Sequence, residues 1–293
     1  MWFEHCLADL GHYDPLNIRC TDREPVIGVD VAEAPIEMWE MQIAFAIGIL
    51  GVYVGWRGTI AKMTGFYDLS GAVKTLLFGI ISGVLAASAI DVLILSEVRN
   101  ESQNIISISA IALIISLAES SFTLFVLGRS RTVGLRACAP YGWTLGLGFG
   151  AMRSAHLNVR LFDPVVWEGT GFSVANIMLA FALTVVTCLG HASIATWQGS
   201  RIIENSRFRP LIYASIARSA LILSTVLTVF FPPTLALVAP VVAWSWFPAR
   251  ESWLPSGLTP AARQAYRRTI RQAEIIKSRA DSRIKGKIVD SEE

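Results

Sequence analysis

The chain has 293 residues, of which 53% are hydrophobic and 16% are charged, with a formal net charge of +2. Soluble globular proteins carry about 25% charged residues. The composition therefore excludes an ordinary soluble domain and predicts an all-α integral membrane protein, a multi-pass protein of the cell membrane. The four cysteines form no Cys-x-x-Cys pair, so the sequence contains no structural zinc motif of that kind.

Residues 1–36 are polar, acidic and interrupted by prolines, and they are predicted to form an extracytoplasmic N-terminal segment. The first residues have no basic stretch leading into an apolar one, so we expect no cleavable signal peptide. A Cys6–Cys20 disulfide would form in an oxidising compartment. A metal site that adds His5 and His12 is an alternative, although the spacing matches no standard motif. The third alternative is that these residues have no special role.

Apolar segments then follow in series, and a helix that crosses a bilayer needs about 20 residues. We predict a bundle of about seven transmembrane helices. Six is the alternative, because the last segment is short and follows Pro232 and Pro233. The predicted spans are 37–56, 72–96, 104–127, 140–157, 172–198, 211–231 and 233–248.

Basic residues in the loops predict the orientation, because cytoplasmic loops carry an excess of lysine and arginine. They are concentrated in loops 57–71, 128–139 and 199–210 and in the tail 249–293, whereas the alternate loops contain few. With an odd number of spans, this alternation predicts that the N-terminus lies outside and the C-terminus lies in the cytoplasm.

The basic tail is predicted to contain an amphipathic helix from Thr259 to about Lys285. Thr259 is a favourable N-cap, and Pro260 suits the first helical position. The helix is interpreted either as a solvated juxtamembrane helix or as a surface helix that binds anionic lipids. We expect no nucleic-acid binding, because the basic residues lack interleaved aromatic residues.

Ionisable residues inside the predicted spans are candidate functional residues, because they are costly in hydrocarbon. At about 1.5 Å per helical residue, Glu119, His191, Arg218 and the run Gly146–Gly150 lie in one inner layer, roughly 10–12 Å from the cytoplasmic surface. Two interpretations of Glu119 are open. It forms a buried ion pair with Arg218, or it is a metal ligand or general base with His191 as its partner. His191 is correspondingly either a hydrogen-bonded core residue or a site residue.

A second, outer layer contains Asp91, Arg153 and His156. Its simplest interpretation is an ion pair between Asp91 and Arg153. A catalytic zinc site takes three protein ligands and a water, and the inner layer offers only two ligands. His156 lies too far toward the outside to be the third.

Glycines on the fourth span predict close helix packing. Gly142, Gly146 and Gly150 recur every four residues, and small residues at that spacing let helix backbones approach closely. Gly148 is expected to widen the same smooth face. A glycine run that exposes backbone to a cavity is compatible with this packing.

Three motifs follow one another in the third to fifth spans. They are Glu119-Ser120-Ser121-Phe122 followed by Arg129, then Gly146-Leu147-Gly148-Phe149-Gly150-Ala151-Met152-Arg153-Ser154, and then His191-Ala192-Ser193-Ile194-Ala195-Thr196-Trp197. This order resembles the PrsW-type intramembrane protease superfamily, which also includes the anterior-pharynx-defective scaffold subunit of gamma-secretase. The resemblance covers about residues 110–231. It implies Glu119 and His191 as catalytic residues and a divalent metal, such as zinc, as cofactor.

The sequence departs from the protease pattern at two acidic positions and one histidine. Ser120 stands where protease members have a second glutamate, and Arg153 stands where they have another glutamate. The scaffold branch has a histidine in the next helix, where this chain has Ile216-Ala217-Arg218. Because arginine stays protonated, it cannot bind a metal or act as a base near neutral pH.

These departures favour a non-catalytic scaffold or binding relative with membrane-protein partners. The first alternative is an active metal-dependent or glutamic-type intramembrane protease that uses Glu119 and His191. The second alternative is a small-solute or ion transporter, although we find no inverted repeat. Its polar path would consist of Glu119, Arg218, Asp91 and Arg153.

Overall fold

The computed structural model of the chain describes residues 36–95, 104–164 and 171–284. These residues form helices and contain no β-strand, which confirms the predicted all-α class. The N-terminal alternatives for His5, Cys6, His12 and Cys20 lie outside the described residues. The helices are α1 Met38–Gly58, α2 Leu69–Ile90, α3 Ile105–Leu127, α4 Ser130–Gly134, α5 Cys138–Phe162, α6 Val174–Ile203, α7 Phe208–Phe230, α8 Thr234–Pro248 and α9 Pro260–Ile284.

Within the described ranges, five helical segments are long and apolar enough to cross a membrane. They are Met38–Met63, Leu69–Leu95, Ile105–Leu127, Val174–Ile203 and Phe208–Phe230. The first includes a 3-10 turn after α1, and the second includes a π turn after α2. The remaining two predicted spans coincide with α5, which is rich in glycine, and with α8, which has only 15 residues. Seven spans and their orientation therefore stay predictions.

Helix α5 lies at the centre of the packing, and its most extensive contacts are with α6, α2 and α1. Every residue of α5 is buried except His156, Val159 and Arg160. Direct contacts give the relative directions: Cys138 Sγ donates to the carbonyl of Leu127 at 3.4 Å, whereas Arg153 near the other end of α5 reaches Glu119. Helix α5 is therefore antiparallel to α3.

The glycines of α5 lie on two faces of the helix. A Cβ atom on Gly142, Gly146 or Gly150 would meet the backbone of α6 at Ala195, His191 and Cys188 respectively. This order of contacts makes α5 and α6 antiparallel. Gly148 does not widen that face, because two residues along a helix differ by about 200°. It lies instead against the backbone of α2 at Leu76 and Gly79. Glycine thus brings α5 close to a helix on either side.

Side chains outside the apolar spans hold the start of α2 and the first turns of α9. The Asp68 carboxylate accepts the backbone N–H groups of Ser70 and Gly71, each at 3.1 Å. A hydrogen bond from the Tyr141 hydroxyl is the main cause that lowers the pKa of Asp68, and these N-cap bonds lower it further. In α9, Tyr266 is buried, and burial raises the pKa of its hydroxyl.

Helix α9 begins where the sequence predicts a helix, and the N–H of Ala262 donates to Thr259 Oγ1 at 3.3 Å. The ring of Tyr266 makes an edge contact with that of Phe66, with centroids 5.5 Å apart. Most of the other α9 side chains, including its arginines, are exposed. Both interpretations of this helix, solvated or lipid-binding, remain predictions.

Candidate functional site

Polar side chains from four helices meet inside the bundle, and we call this group the polar cluster. Glu119 is 4% exposed, Arg153 is 2% exposed, and His191 and Arg218 are completely buried. A fully buried charge is rarely tolerated unless it is paired. The cluster consists of Glu119 and Ser120 of α3, Arg153 of α5, His191 and Gln198 of α6, and Arg218 of α7.

Arg153 bridges the two residues that the sequence predicts as catalytic. Its Nη2 donates to Glu119 Oε1 in an ion pair, and its Nη1 lies 2.7 Å from His191 Nε2. A guanidinium only donates, so Nε2 is the acceptor and the neutral His191 ring carries its proton on Nδ1. That nitrogen lies 3.9 Å from Glu119 Oε2. One arginine thus orients both the carboxylate and the imidazole.

The partner of Glu119 differs from the predicted one. Glu119 pairs with Arg153 rather than with Arg218, and Arg153 consequently does not pair with Asp91. Side chains in a helix point toward its N-terminus, and α5 is antiparallel to α3 and α6. Arg153 therefore reaches back along α5, while Glu119 and His191 lean toward it. A depth estimate that uses Cα positions alone places Arg153 in the wrong layer.

Arg218 enters the cluster from α7, and it forms no ion pair with an acidic residue of the described ranges. Its Nη1 donates to Ser120 Oγ at 3.1 Å. Its guanidinium carbon lies 5.8 Å from the ring centroid of Phe149, and that ring also lies beside the ring of His191. Among the described residues, Nε and Nη2 of Arg218 have no hydrogen-bond partner.

Asp91 forms a separate pair near the end of α5, which we call the rim pair. Arg160 Nε donates to Asp91 Oδ1 at 2.8 Å, and Nη2 donates to Oδ2 at 2.6 Å. Arg160 is not among the predicted site residues, because the predicted fourth span ends at residue 157, whereas α5 continues to Phe162. His156 is half-buried against the ring of Phe45 and lies outside the polar cluster.

Gln198 is a second residue that the sequence analysis missed. Its Nε2 donates to the carbonyl of Ser120 at 2.8 Å and so joins α6 to α3. It lies seven residues after His191, two helical turns along the same face. That spacing is the signal that would have found it. Several buried polar atoms in these helices also have no partner in the described part of the chain: Ser116 Oγ, Glu119 Oε2, Arg153 Nε, His191 Nδ1, Ser193 Oγ and Gln198 Oε1.

The cluster does not fit a divalent metal. No three histidine, cysteine, aspartate or glutamate side chains come together in the described ranges, and a zinc site takes three protein ligands. Arg153 also holds both Glu119 and His191. A guanidinium at that position would repel a second cation in a low-dielectric interior.

The cluster instead presents hydrogen-bond donors and excess positive charge. Arg153 and Arg218 contribute two positive charges, Glu119 contributes one negative charge and His191 is neutral, so the net charge is +1. Such an arrangement suits the binding of a negatively charged group. It does not suit the activation of a metal-bound water.

Comparison with known proteins adds no relative: no protein-family model, curated protein or solved structure matches the chain.

Proposed function

We propose that this chain is a multi-pass protein of the cell membrane that acts as a non-catalytic scaffold or binding protein related to the PrsW-type superfamily. The observation that carries this proposal is the position of Arg153, whose guanidinium contacts both Glu119 and His191. Seven transmembrane helices with the N-terminus outside and the C-terminus in the cytoplasm complete the proposal.

The contacts of Arg153 occupy the lone pairs of Glu119 and His191 that a hydrolase would use. In a metal-dependent hydrolase, the carboxylate and the imidazole must offer lone pairs to a metal or to a water. Here His191 Nε2 and Glu119 Oε1 both accept hydrogen bonds from Arg153. The other His191 nitrogen carries the ring proton. Because the arginine remains charged, neutral pH does not release His191 Nε2 or Glu119 Oε1.

The packing around α5 supports a structural or binding role. Glycine faces bring α5 into backbone contact with α6 on one side and α2 on the other, and such contacts restrict sliding of the helices. Helix α5 is antiparallel to α3 and α6, as expected if consecutive long helices cross the bilayer in alternate directions. This alternation supports the inclusion of α5 among the spans.

The outer surface supports partners within the bilayer. Large apolar side chains are exposed along α2 and α3, including Ile81, Leu85 and Ile114. Such surfaces suit lipid or another membrane protein. We propose membrane-protein partners for this reason, with the lipid bilayer covering the remainder.

An intramembrane protease is the second candidate function, because Glu119 Oε2 and His191 Nδ1 lie only 3.9 Å apart. Both atoms lack a partner among the described residues. If Arg153 moved away, the Glu119 carboxylate and the His191 imidazole would both face the space that its guanidinium now occupies. The two candidates therefore differ in whether Arg153 stays in place.

Metal content and cleavage together test the proposal. The full chain would be purified in detergent beside His191→Ala and analysed for zinc and other divalent metals, and both would be co-expressed with single-span reporter proteins. We expect no stoichiometric metal and no cleavage above that of a Glu119→Gln variant. Metal bound by the wild type and lost in His191→Ala, or cleavage lost in Glu119→Gln, would establish the protease instead. The exposed Glu204→Gln variant is the control for removal of a carboxylate.

A further inference from the structure

The excess positive charge of the polar cluster requires a counter-charge. Arg218 is completely buried, and Glu119 is engaged by Arg153. The rim pair cannot compensate Arg218, because Asp91 binds Arg160 through both of its oxygens. An uncompensated charge inside a membrane protein is strongly unfavourable. A negatively charged ligand at Arg218 would remove that penalty.

The geometry of Arg218 indicates which kind of anion it would bind. Its Nη1 is used by Ser120, while Nε and Nη2 have no partner in the described part of the chain. These two groups lie on one edge of the planar guanidinium, and their N–H bonds are nearly parallel. That fork matches two oxygens of a carboxylate or a phosphate. A monatomic anion or a single water offers one acceptor atom to the two N–H groups, whereas a carboxylate or phosphate offers one oxygen to each.

The surroundings of Arg218 suit the rest of such a ligand. Two apolar cavities of about 490 Å³ and about 370 Å³ lie between α6, α7 and α8. They share Ile194, Ala217 and Ser245, and Ala217 directly precedes Arg218. Ser193 lines the first cavity, and its buried hydroxyl has no partner among the described residues. Arg218 itself lines neither cavity, so the cavities lie beside the cluster, on the apolar side of α6 and α7.

We infer that Arg218 binds an oxyanion with two terminal oxygens, a carboxylate or a phosphate, through Nε and Nη2. The inference rests on the proposed binding function, since it names the ligand class of the same cluster. A small soluble oxyanion and the headgroup of an anionic lipid supply the same chemistry, and the experiment separates these two sources.

Thermal unfolding of the full chain in uncharged detergent tests the inference, with the fluorescence of its nine tryptophans as the readout. Sodium acetate and sodium phosphate would be compared with sodium chloride at equal ionic strength. A ligand that binds only the folded state raises its stability with concentration. We expect Tm to rise by several degrees with the oxyanions relative to chloride, and the difference to disappear in Arg218→Gln.

Two further variants make the result specific. Arg218→Lys keeps the charge but has no planar fork, so it should lose the preference for acetate and phosphate over chloride. This variant also tests the inference if Arg218→Gln does not fold. Arg201→Gln removes an exposed arginine paired with Glu204 and should keep the wild-type response. An oxyanion response in Arg218→Lys or Arg218→Gln that is as large as that of the wild type would overturn the inference.

Nanodiscs identify the source of the ligand. Phosphatidic acid in a phosphatidylcholine nanodisc would raise Tm without added acetate or phosphate if the headgroup is the ligand, whereas a response to the soluble anions identifies a small molecule. Equal Tm values in all anions and both lipids would overturn the inference. That outcome leaves the non-catalytic proposal intact, while substrate cleavage beside a normal anion response would refute that proposal alone.

Discussion

The polar cluster and the rim pair use the same chemistry in two different environments. In the rim pair the Arg160 and Asp91 side chains are 37% and 20% exposed, whereas in the cluster the Arg153 and Glu119 side chains are 2% and 3% exposed. Both oxygens of Asp91 are hydrogen-bonded by Arg160. In the cluster, one oxygen of Glu119 and several arginine nitrogens have no partner among the described residues.

This difference separates an ordinary ion pair from a candidate site. The rim pair is partly exposed and joins α2 to α5, and Arg160 Nη1 also lies 3.5 Å from Asp163 Oδ2, so its positive charge is fully compensated. The cluster carries one extra positive charge and is shielded from water. Partly satisfied polar groups in a low-dielectric interior are costly, so their presence points to a ligand or a partner.

Breaking the cluster at Arg153 should have the largest effect. Arg153→Met leaves Glu119 buried without its cation, and removal of one partner of a buried pair typically destabilises a protein by about 3–5 kcal/mol. We expect a loss of this order in the free energy of unfolding, measured by denaturation in mixed detergent micelles. The double variant Arg153→Met with Glu119→Gln should recover much of it, because neither charge then remains. A double variant no more stable than Arg153→Met would exclude the ion pair as the cause.

The geometry around His191 can be tested without changing a charge. A Cβ at Gly146 would meet the carbonyl of His191 and the Cα of Ala192. Gly146→Ala should push α6 away from α5, and overpacking of this kind costs about 1–3 kcal/mol. Gly134→Ala is the matched control, since a Cβ there meets nothing within 4 Å. Equal thermal stability of the two variants would show that α5 and α6 are less closely packed than described.

The rim pair should give the smallest effect. Arg160→Met removes a partly exposed ion pair, and such pairs contribute about 0–1 kcal/mol. We expect a correspondingly small decrease in the free energy of unfolding, which 1 M salt should reduce further because exposed charges are screened. If this loss equalled that of Arg153→Met and did not respond to salt, burial would not be what distinguishes the two regions.

The sequence was sufficient to place three residues of the cluster together but not to identify their partners. Glu119, His191 and Arg218 were expected in one layer because polar residues in apolar spans are rare, and the structure brings them together. Arg153 was assigned to another layer because the length and direction of its side chain were ignored. Arg160 was missed for a different reason, because the predicted fourth span ended at residue 157. Partners of long side chains depend on packing that a one-dimensional depth scale does not contain.

Other expectations depend on information that helix packing does not carry. The orientation rests on the distribution of lysine and arginine, and the same helix contacts would form with either end of the bundle in the cytoplasm. Helix packing does not determine the number of spans either. The polar residues of α5 are covered by its neighbours, so composition alone does not show whether this helix crosses the bilayer. A resemblance carried by three short motifs specifies candidate residues and leaves their roles to experiment.

The enclosure of α5 has a consequence for how the chain is synthesised and inserted. An arginine at the middle of a lone helix disfavours release from the translocon into lipid by about 2.5–3.5 kcal/mol, and the α5 glycines offer little apolar surface in return. Helices α1 and α2 precede α5 along the chain, but α6, its most extensive neighbour, is made afterwards. If α5 crosses the bilayer as proposed, we expect it to stay beside the translocon or against α1 and α2 until α6 has been synthesised. On that proposal, the insertion of α5 is coupled to the synthesis of the next long helix.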